Sequence, residues 1–103
     1  MNCSRNDVVL LPIPFTDLTS RKVRPAVVIG QNGADFFLVP ISSQLSNTDF
    51  PLSEWAVAGL NVPCGIKAQL ATVETRLVVK KVGALAAADQ QRLNARLRAW
   101  LSL

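Results

Sequence analysis

The residue of this sequence best suited to binding a phosphate is Arg24, which lies at the start of an apolar segment. Pro25 and the apolar residues 26–29 follow it directly. A guanidinium presents a planar fork of donors that matches phosphate oxygens, and it stays charged at physiological pH. An arginine held at the mouth of a rigid strand is therefore a candidate for phosphate binding. The competing interpretation is a surface arginine whose stem covers the rim of the fold.

Two neighbouring strands are predicted to bring further polar groups to Arg24. Pro25–Ile29 and Phe36–Ile41 are apolar and rich in branched and aromatic side chains, which pack well on a pleated surface. The Asn32-Gly33 pair between them is a strong hairpin signal. A hairpin returns its second strand to the end where the first began. We therefore expect Ser42-Ser43-Gln44 to lie beside Arg24.

The pattern elsewhere predicts three more strands. They are expected at Asp7–Phe15, Gly65–Val73 and Leu77–Gly83. Prolines in the far half of the first place it at an edge or a bend, because proline cannot donate to a central ladder. In the second, apolar and polar residues alternate, which puts Lys67 and Gln69 on one face.

Two helical segments complete the prediction. Ser53–Gly59 has the composition of one or two helical turns, with Ser53 as N-cap and Gly59 just past the end. From Ala86 onward, apolar residues recur at the spacing of one helix face, at Leu93, Leu97, Trp100 and Leu101. Short strands with a terminal helix predict a mainly β (α+β) domain, built as a small antiparallel barrel with a short internal helix and a C-terminal helix.

Composition limits the function classes. The 103 residues form one domain, and a hydrophobic content of 50% excludes general disorder. The formal net charge of +4 favours a polyanionic partner such as nucleic acid. The chain contains no histidine, which excludes a Ser-His-Asp triad, a Cys-His dyad and an imidazole acid–base pair. An enzyme of this composition would act mainly by positioning its substrate and by stabilising developing charge.

The cysteines and the length of the apolar segments indicate the cellular compartment of the protein. Cys3 and Cys64 stand in neither CxxC nor any other metal-binding spacing, so two free thiols are expected, with no disulfide framework and no metal site. No apolar run approaches the roughly 20 residues that span a bilayer, and the first residues lack the pattern of a secretory leader. We expect a cytoplasmic protein without a membrane partner.

Five short motifs, in this order and spacing, resemble the PemK/MazF family of toxins from bacterial toxin–antitoxin pairs. The similarity extends over essentially the whole chain, including the Trp55-to-Leu60 segment and the C-terminal helix. The motifs are Asp7-Val8-Val9, Pro14-Phe15-Thr16-Asp17-Leu18, Arg24-Pro25-Ala26-Val27-Val28-Ile29, Val39-Pro40-Ile41-Ser42-Ser43-Gln44 and Lys67-Ala68-Gln69-Leu70-Ala71-Thr72.

The resemblance implies an SH3-like barrel, a homodimer, an acidic antitoxin partner, and cleavage of single-stranded RNA at specific sequences without a metal or other cofactor. Arg24 matches the family's catalytic arginine, and Ser42 matches the position where a threonine or serine hydroxyl completes the site. The expected products carry a 2′,3′-cyclic phosphate and a 5′-hydroxyl. The residues expected to bind RNA are Phe15, Thr16, Arg21, Lys22, Ser43, Gln44, Lys67 and Gln69.

Several alternatives stay open at the level of the sequence. Serines at a strand end are commonly turn residues, and Lys67 and Gln69 also fit a solvated strand face. Lys80-Lys81 is interpreted as a surface pair, with contact to an RNA backbone as the alternative. Glu74 and Asp17 are available carboxylates for a general base, with nothing to place either. A toxin of the same fold that poisons DNA gyrase, like CcdB relatives, and a barrel that binds RNA or protein without cutting are the competing functions.

Overall fold

The computed structural model describes residues 2–12 and 22–103. Within them the chain forms one antiparallel sheet of seven strands and a C-terminal helix, with two short 3₁₀ turns at Leu45–Asn47 and Thr75–Leu77. The elements are β1 (Asp7–Pro12), β2 (Val23–Asn32), β3 (Asp35–Ser42), β4 (Phe50–Pro51), β5 (Gly65–Ile66), β6 (Ala71–Glu74), β7 (Lys80–Ala84) and α1 (Ala87–Leu101).

The sheet has the strand order β4-β5-β3-β2-β1-β7, and β6 pairs with β3 as well. The mainly β class with a C-terminal helix is confirmed. Among the described residues the two end strands of this order do not pair with each other, so the sheet is open where a closed barrel was expected. β1 ends at Pro12, and the remainder of the predicted first strand, residues 13–15, lies outside the described residues.

The central hairpin of β2 and β3 is confirmed. Its loop has two residues, Gly33 and Ala34, between the paired Asn32 and Asp35. Gly33 has a φ of +60°, while Ala34 is not among the described non-glycine residues with positive φ. A positive φ at the first loop position only is the type II′ arrangement, whose twist matches that of the flanking strands.

The single strand predicted at Gly65–Val73 is wrong, because the chain divides there into β5 and β6. Both parts pair with β3, Ile66 with Ile41 and Ala71 with Leu38. Between these pairs four residues, 67–70, oppose only two on β3. One of those two is Pro40, which has no N–H to donate to a ladder. Its carbonyl accepts from the Lys67 N–H at 3.0 Å, and pairing with β3 resumes only at Ala71.

The strand predicted at Leu77–Gly83 begins later than expected. Residues Thr75–Leu77 form a 3₁₀ turn, and β7 begins at Lys80. The Thr75 N–H donates to the Ala34 carbonyl at 2.7 Å, and the Val78 N–H donates to the Thr75 carbonyl at 3.2 Å. The chain thus leaves the β3 edge in a tight turn before it joins β1 on the far side of the sheet.

The segment Ser53–Gly59, predicted as one or two helical turns, forms consecutive turns with one helical bond, from the Ala58 N–H to the Glu54 carbonyl at 3.3 Å, and does not form a regular helix. Its end nevertheless closes as a helix does. The Gly59 N–H donates to Ala56 at 3.0 Å and the Leu60 N–H to Trp55 at 3.2 Å, the bond pair of a Schellman motif. Gly59 has the φ of +89° that this motif requires. The short internal helices of the protein are instead the two 3₁₀ turns.

Alternation along the strands divides the core into two clusters, one on each face of the sheet. Val8 and Val27 face α1, where Leu93 and Leu97 form the buried stripe of the helix. The second cluster lies on the opposite face and consists of Val9, Leu11, Ala26, Val28, Phe36 and Leu38. Within the described ranges, no helix is both long and apolar enough to cross a membrane.

Candidate functional site

Arg24 and Ser42 lie next to each other at one end of the central hairpin. β2 and β3 pair Val27 with Val39 and Ala26 with Pro40. The same register, continued by two residues, places Arg24 opposite Ser42. Residues opposite each other in an antiparallel pair project from the same face. The hairpin therefore places Arg24 and Ser42 side by side on one face of the sheet, and this placement is the one that the sequence predicted.

Both residues line one cavity of about 550 Å³. Its walls come from five parts of the chain: Leu10 of β1, the start of β2, the end of β3, the loop that begins at Gly59, and the start of β7. The lining residues are Leu10, Val23, Arg24, Pro25, Ile41, Ser42, Ser43, Gly59, Leu60, Asn61, Val62, Cys64, Lys80, Lys81 and Val82. The cavity thus combines an apolar floor with hydroxyls, an amide and three cations, which suits an anionic ligand with apolar parts.

Close backbone contact holds two of these walls together. A Cβ at Gly59 would lie 2.2 Å from the Val82 carbonyl oxygen, and one at Gly83 would lie 2.5 Å from the Ala58 carbonyl oxygen. Only glycine allows the loop and β7 to approach this closely. The loop wall of the cavity is consequently fixed against the strand that carries Lys80 and Lys81.

Ser42 has both a structural and a chemical use. Its Oγ accepts the Gln44 N–H at 3.0 Å, so it forms the turn that ends β3. A hydroxyl has two acceptor lone pairs and one proton to donate. The bond to Gln44 uses one lone pair and leaves the proton available to a ligand in the cavity.

Lys80 and Lys81, which the sequence predicts as a surface pair with contact to an RNA backbone as the alternative, both line the cavity. The Lys81 ammonium lies 3.2 Å from an Asp7 carboxylate oxygen, and the Asp7 side chain is nearly buried. Lys80 takes part in none of the ion pairs of the described chain. Only the pairing of β7 with β1 brings them to the cavity, so local sequence could not show it. The sequence analysis also missed Asn61, because its loop reaches the cavity through the packing of Gly59 against Val82 of β7.

The other predicted RNA-binding residues are distributed as follows. Ser43 lines the cavity, while Gln44, Lys67 and Gln69 are not among its lining residues. The Gln44 side chain accepts from Asn47 at 2.8 Å. Lys22 is exposed beside the start of β2. Predictions for Phe15, Thr16 and Arg21 lie outside the described residues, as does Asp17.

Cys64 lines the cavity but is unsuited to nucleophilic work. Its side chain is buried, and its Sγ donates to the Val62 carbonyl at 3.3 Å. Burial raises the pKa of the Cys64 thiol above its ordinary value. In the described part of the chain, Cys3 and Cys64 are free thiols, and no group of three or more cysteine or acidic residues could hold a metal ion.

Comparison with known proteins agrees with this architecture. No curated protein sequence matches the chain. One similar solved structure is described as an endoribonuclease in complex with its cognate antitoxin from a mycobacterial species, with TM-score 0.73 and 16% identity, covering 100% of this chain and 97% of that one. Another is the Mycobacterium tuberculosis toxin MazF-mt6, with TM-score 0.74 and 16% identity, covering 94% and 97% of the two chains. At this identity the structures establish the fold.

The family follows from the sequence itself. The sequence profile of the PemK-like, MazF-like toxins of type II toxin–antitoxin systems matches residues 4–101, nearly the whole chain. The chain therefore belongs to the PemK-like, MazF-like toxin family.

Proposed function

We propose that this protein is the toxin of a type II toxin–antitoxin system and that it cleaves single-stranded RNA without a metal ion. The observation that carries the proposal is the position of Arg24 opposite Ser42, with both residues lining one cavity. The family match and the similar structures, one of them an endoribonuclease, support it.

The proposed reaction uses a nucleophile that RNA itself supplies. The 2′-oxygen attacks the adjacent phosphorus, the new P–O bond closes a 2′,3′-cyclic phosphate, and the bond to the 5′-oxygen breaks. The 2′-hydroxyl loses its proton and the departing 5′-oxygen gains one. Arg24 stabilises the negative charge that accumulates on the phosphoryl oxygens, and the Ser42 hydroxyl donates to the same group. A general base must first lose its own proton, and the arginine guanidinium keeps its proton in proteins. We therefore assign Arg24 an electrostatic role.

Two partners are part of the proposal. The similar endoribonuclease structure contains a cognate antitoxin, and we propose an antitoxin partner for this chain. We also propose a homodimer, formed through an apolar face around Phe37, Leu70 and Leu101. These three side chains are exposed and surround an apolar groove of about 340 Å³ with Ile29, Ala71 and Thr72. Exposed apolar patches of this kind commonly mark protein interfaces. The cytoplasm is the expected compartment.

The test is cleavage of a long mixed-sequence RNA by purified protein in EDTA, with new 5′ ends mapped. We expect discrete cuts with wild type, none with R24A, and wild-type cuts with R98Q. Arg98 is an exposed cation on α1 and is not among the lining residues, so R98Q controls for loss of one positive charge. Absence of cuts by folded wild-type protein would overturn the proposal and favour gyrase poisoning or binding without cleavage.

A further inference from the structure

We propose that Lys80 binds a second phosphate of the RNA strand, next to the phosphate held by Arg24 and Ser42. The inference rests on the proposed function and deepens it, because it adds a second contact between the cavity and the same RNA strand. The sequence offers contact with an RNA backbone only as an alternative for the pair Lys80-Lys81, and it does not distinguish the two lysines. The arrangement of β7, β1 and β2 does.

Strand pairing places Lys80 close to the end of the hairpin that carries Arg24 and Ser42. Lys80 pairs with Leu10 of β1, and Leu10 pairs with Pro25 of β2, the residue that follows Arg24. All three lie in one row across the sheet and line the cavity. Adjacent strands lie about 4.8 Å apart, so the backbones of Lys80 and Pro25 are separated by roughly 10 Å. Because Lys80 and Arg24 line the same cavity, we expect a long lysine side chain starting there to reach a phosphate beside the one at Arg24.

Lys80 differs from its neighbour Lys81 in the use of its charge. Lys81 lies 3.2 Å from the carboxylate of Asp7, a residue only 7% exposed. Its charge neutralises a nearly buried carboxylate and stabilises the folded protein, so it is not available to a ligand. Lys80 is exposed, lines the same cavity, and joins none of the three ion pairs of the described residues. Its ammonium is therefore free to meet an incoming anion.

The chemistry of the cavity favours a polyanionic strand over a single anion. An ammonium is a compact charge with three donors that binds phosphate without a fixed angle, whereas the guanidinium of Arg24 presents a planar fork. A rigid grip at one point and an adaptable contact beside it suit two successive phosphates. Lys80 is thus a binding residue, while the chemical step belongs to Arg24 and Ser42.

The test is the salt dependence of binding to a mixed-sequence 2′-O-methyl RNA, which has no free 2′-hydroxyl and is not cleaved. Each phosphate neutralised on a single strand contributes about 0.7 to the slope of log affinity against log salt. We expect K80Q to lower the magnitude of the slope by about this amount and R98Q to leave it unchanged. K80Q should unfold at the wild-type temperature, because Lys80 has no ion pair to lose in the described structure.

The outcomes separate this inference from the proposed function. An unchanged slope in K80Q, with wild type binding the RNA, would overturn the role of Lys80 and leave the cleavage proposal intact. An equal fall of the slope in R98Q would show a general charge effect and would also overturn it. Wild-type protein that neither binds this RNA nor cuts ordinary RNA would overturn both.

Discussion

Arg24 is the residue on which the proposed chemistry depends. Losing one preorganised donor to a developing oxyanion costs about 10²- to 10³-fold in kcat. We predict at least this loss for R24A in single-turnover cleavage, measured with all of the RNA bound. R24K keeps the charge but not the planar fork, so its rate should lie between those of R24A and wild type. If R24A weakened binding and left the cleavage rate of bound RNA intact, Arg24 would be a docking residue.

Ser42 allows the hydroxyl to be separated from the turn that it forms. We predict that S42T retains cleavage, because threonine keeps the hydroxyl that accepts from Gln44 and donates into the cavity. S42A should lower kcat by about 10²-fold, the scale of one lost donor at a reacting phosphate. N47A is the matched control, since it loosens the same turn through Gln44 without touching the cavity. Equal losses in S42A and N47A would mean that Ser42 acts only through the turn.

The buried Cys64 thiol should react slowly with labelling reagents. It should also make the stability of the folded protein depend on pH. Burial raises its pKa above the ordinary value of 9.0. The folded state then holds the proton to higher pH than the unfolded state, so the resulting stability is complete below pH 9 and is lost as the pH rises further. In a C3A variant, whose single thiol is Cys64, we expect slow labelling at neutral pH and unfolding temperatures that fall more steeply above pH 9 than in C3A/C64A. Rapid labelling of the native protein would contradict this.

Asp89 shows how one helix fixes a wall of the cavity. Its carboxylate is 1% exposed and accepts the Ser53 N–H at 2.9 Å, the Ser53 hydroxyl at 2.9 Å and the Glu54 N–H at 3.0 Å. Asp89 of α1 thereby caps the turns that lead to Gly59 and the lining loop. The sequence predicted that Ser53 caps the turns it begins. The acceptor comes instead from α1, which the local spacing of residues does not show.

We predict that D89A destabilises the protein by about 2 kcal/mol, the upper end of the cost of losing an N-cap. D89N should cost less, since its amide oxygen still accepts from Ser53, and S53A should cost least, because only the hydroxyl bond is removed. Chemical denaturation checks the order. Wild-type stability in D89A would show that water replaces the carboxylate at these exposed turns.

Prediction from the sequence succeeded where a local residue pattern was compatible with a single structure. The Asn-Gly hairpin and the helix of Leu93 and Leu97 followed from turn chemistry and periodicity. Prediction failed where pairing with a distant strand determines the structure. At residues 67–70, Pro40 on the facing strand β3 interrupts the hydrogen-bond ladder, and the predicted strand divides in two. The arginine and serine of the candidate site are joined by one hairpin and were predictable. Lys80 and Asn61 arrive from distant segments, so the sequence offered Lys80 only as an alternative and did not indicate Asn61.

The oligomeric state tests the molecule as a whole. We predict a homodimer, with a solution mass of twice the 11.1 kDa of one chain, because association would cover the apolar face around Phe37, Leu70 and Leu101. L70Q should shift the protein towards monomer in sedimentation equilibrium. L45Q is a matched control, since Leu45 is 44% exposed and Leu70 46%, and Leu45 lies outside the apolar groove. A dimer that survives L70Q but dissociates in L45Q would move the interface to the end of β3, beside the candidate site. A wild-type monomer that associates only with an acidic antitoxin would instead assign the apolar face to that partner.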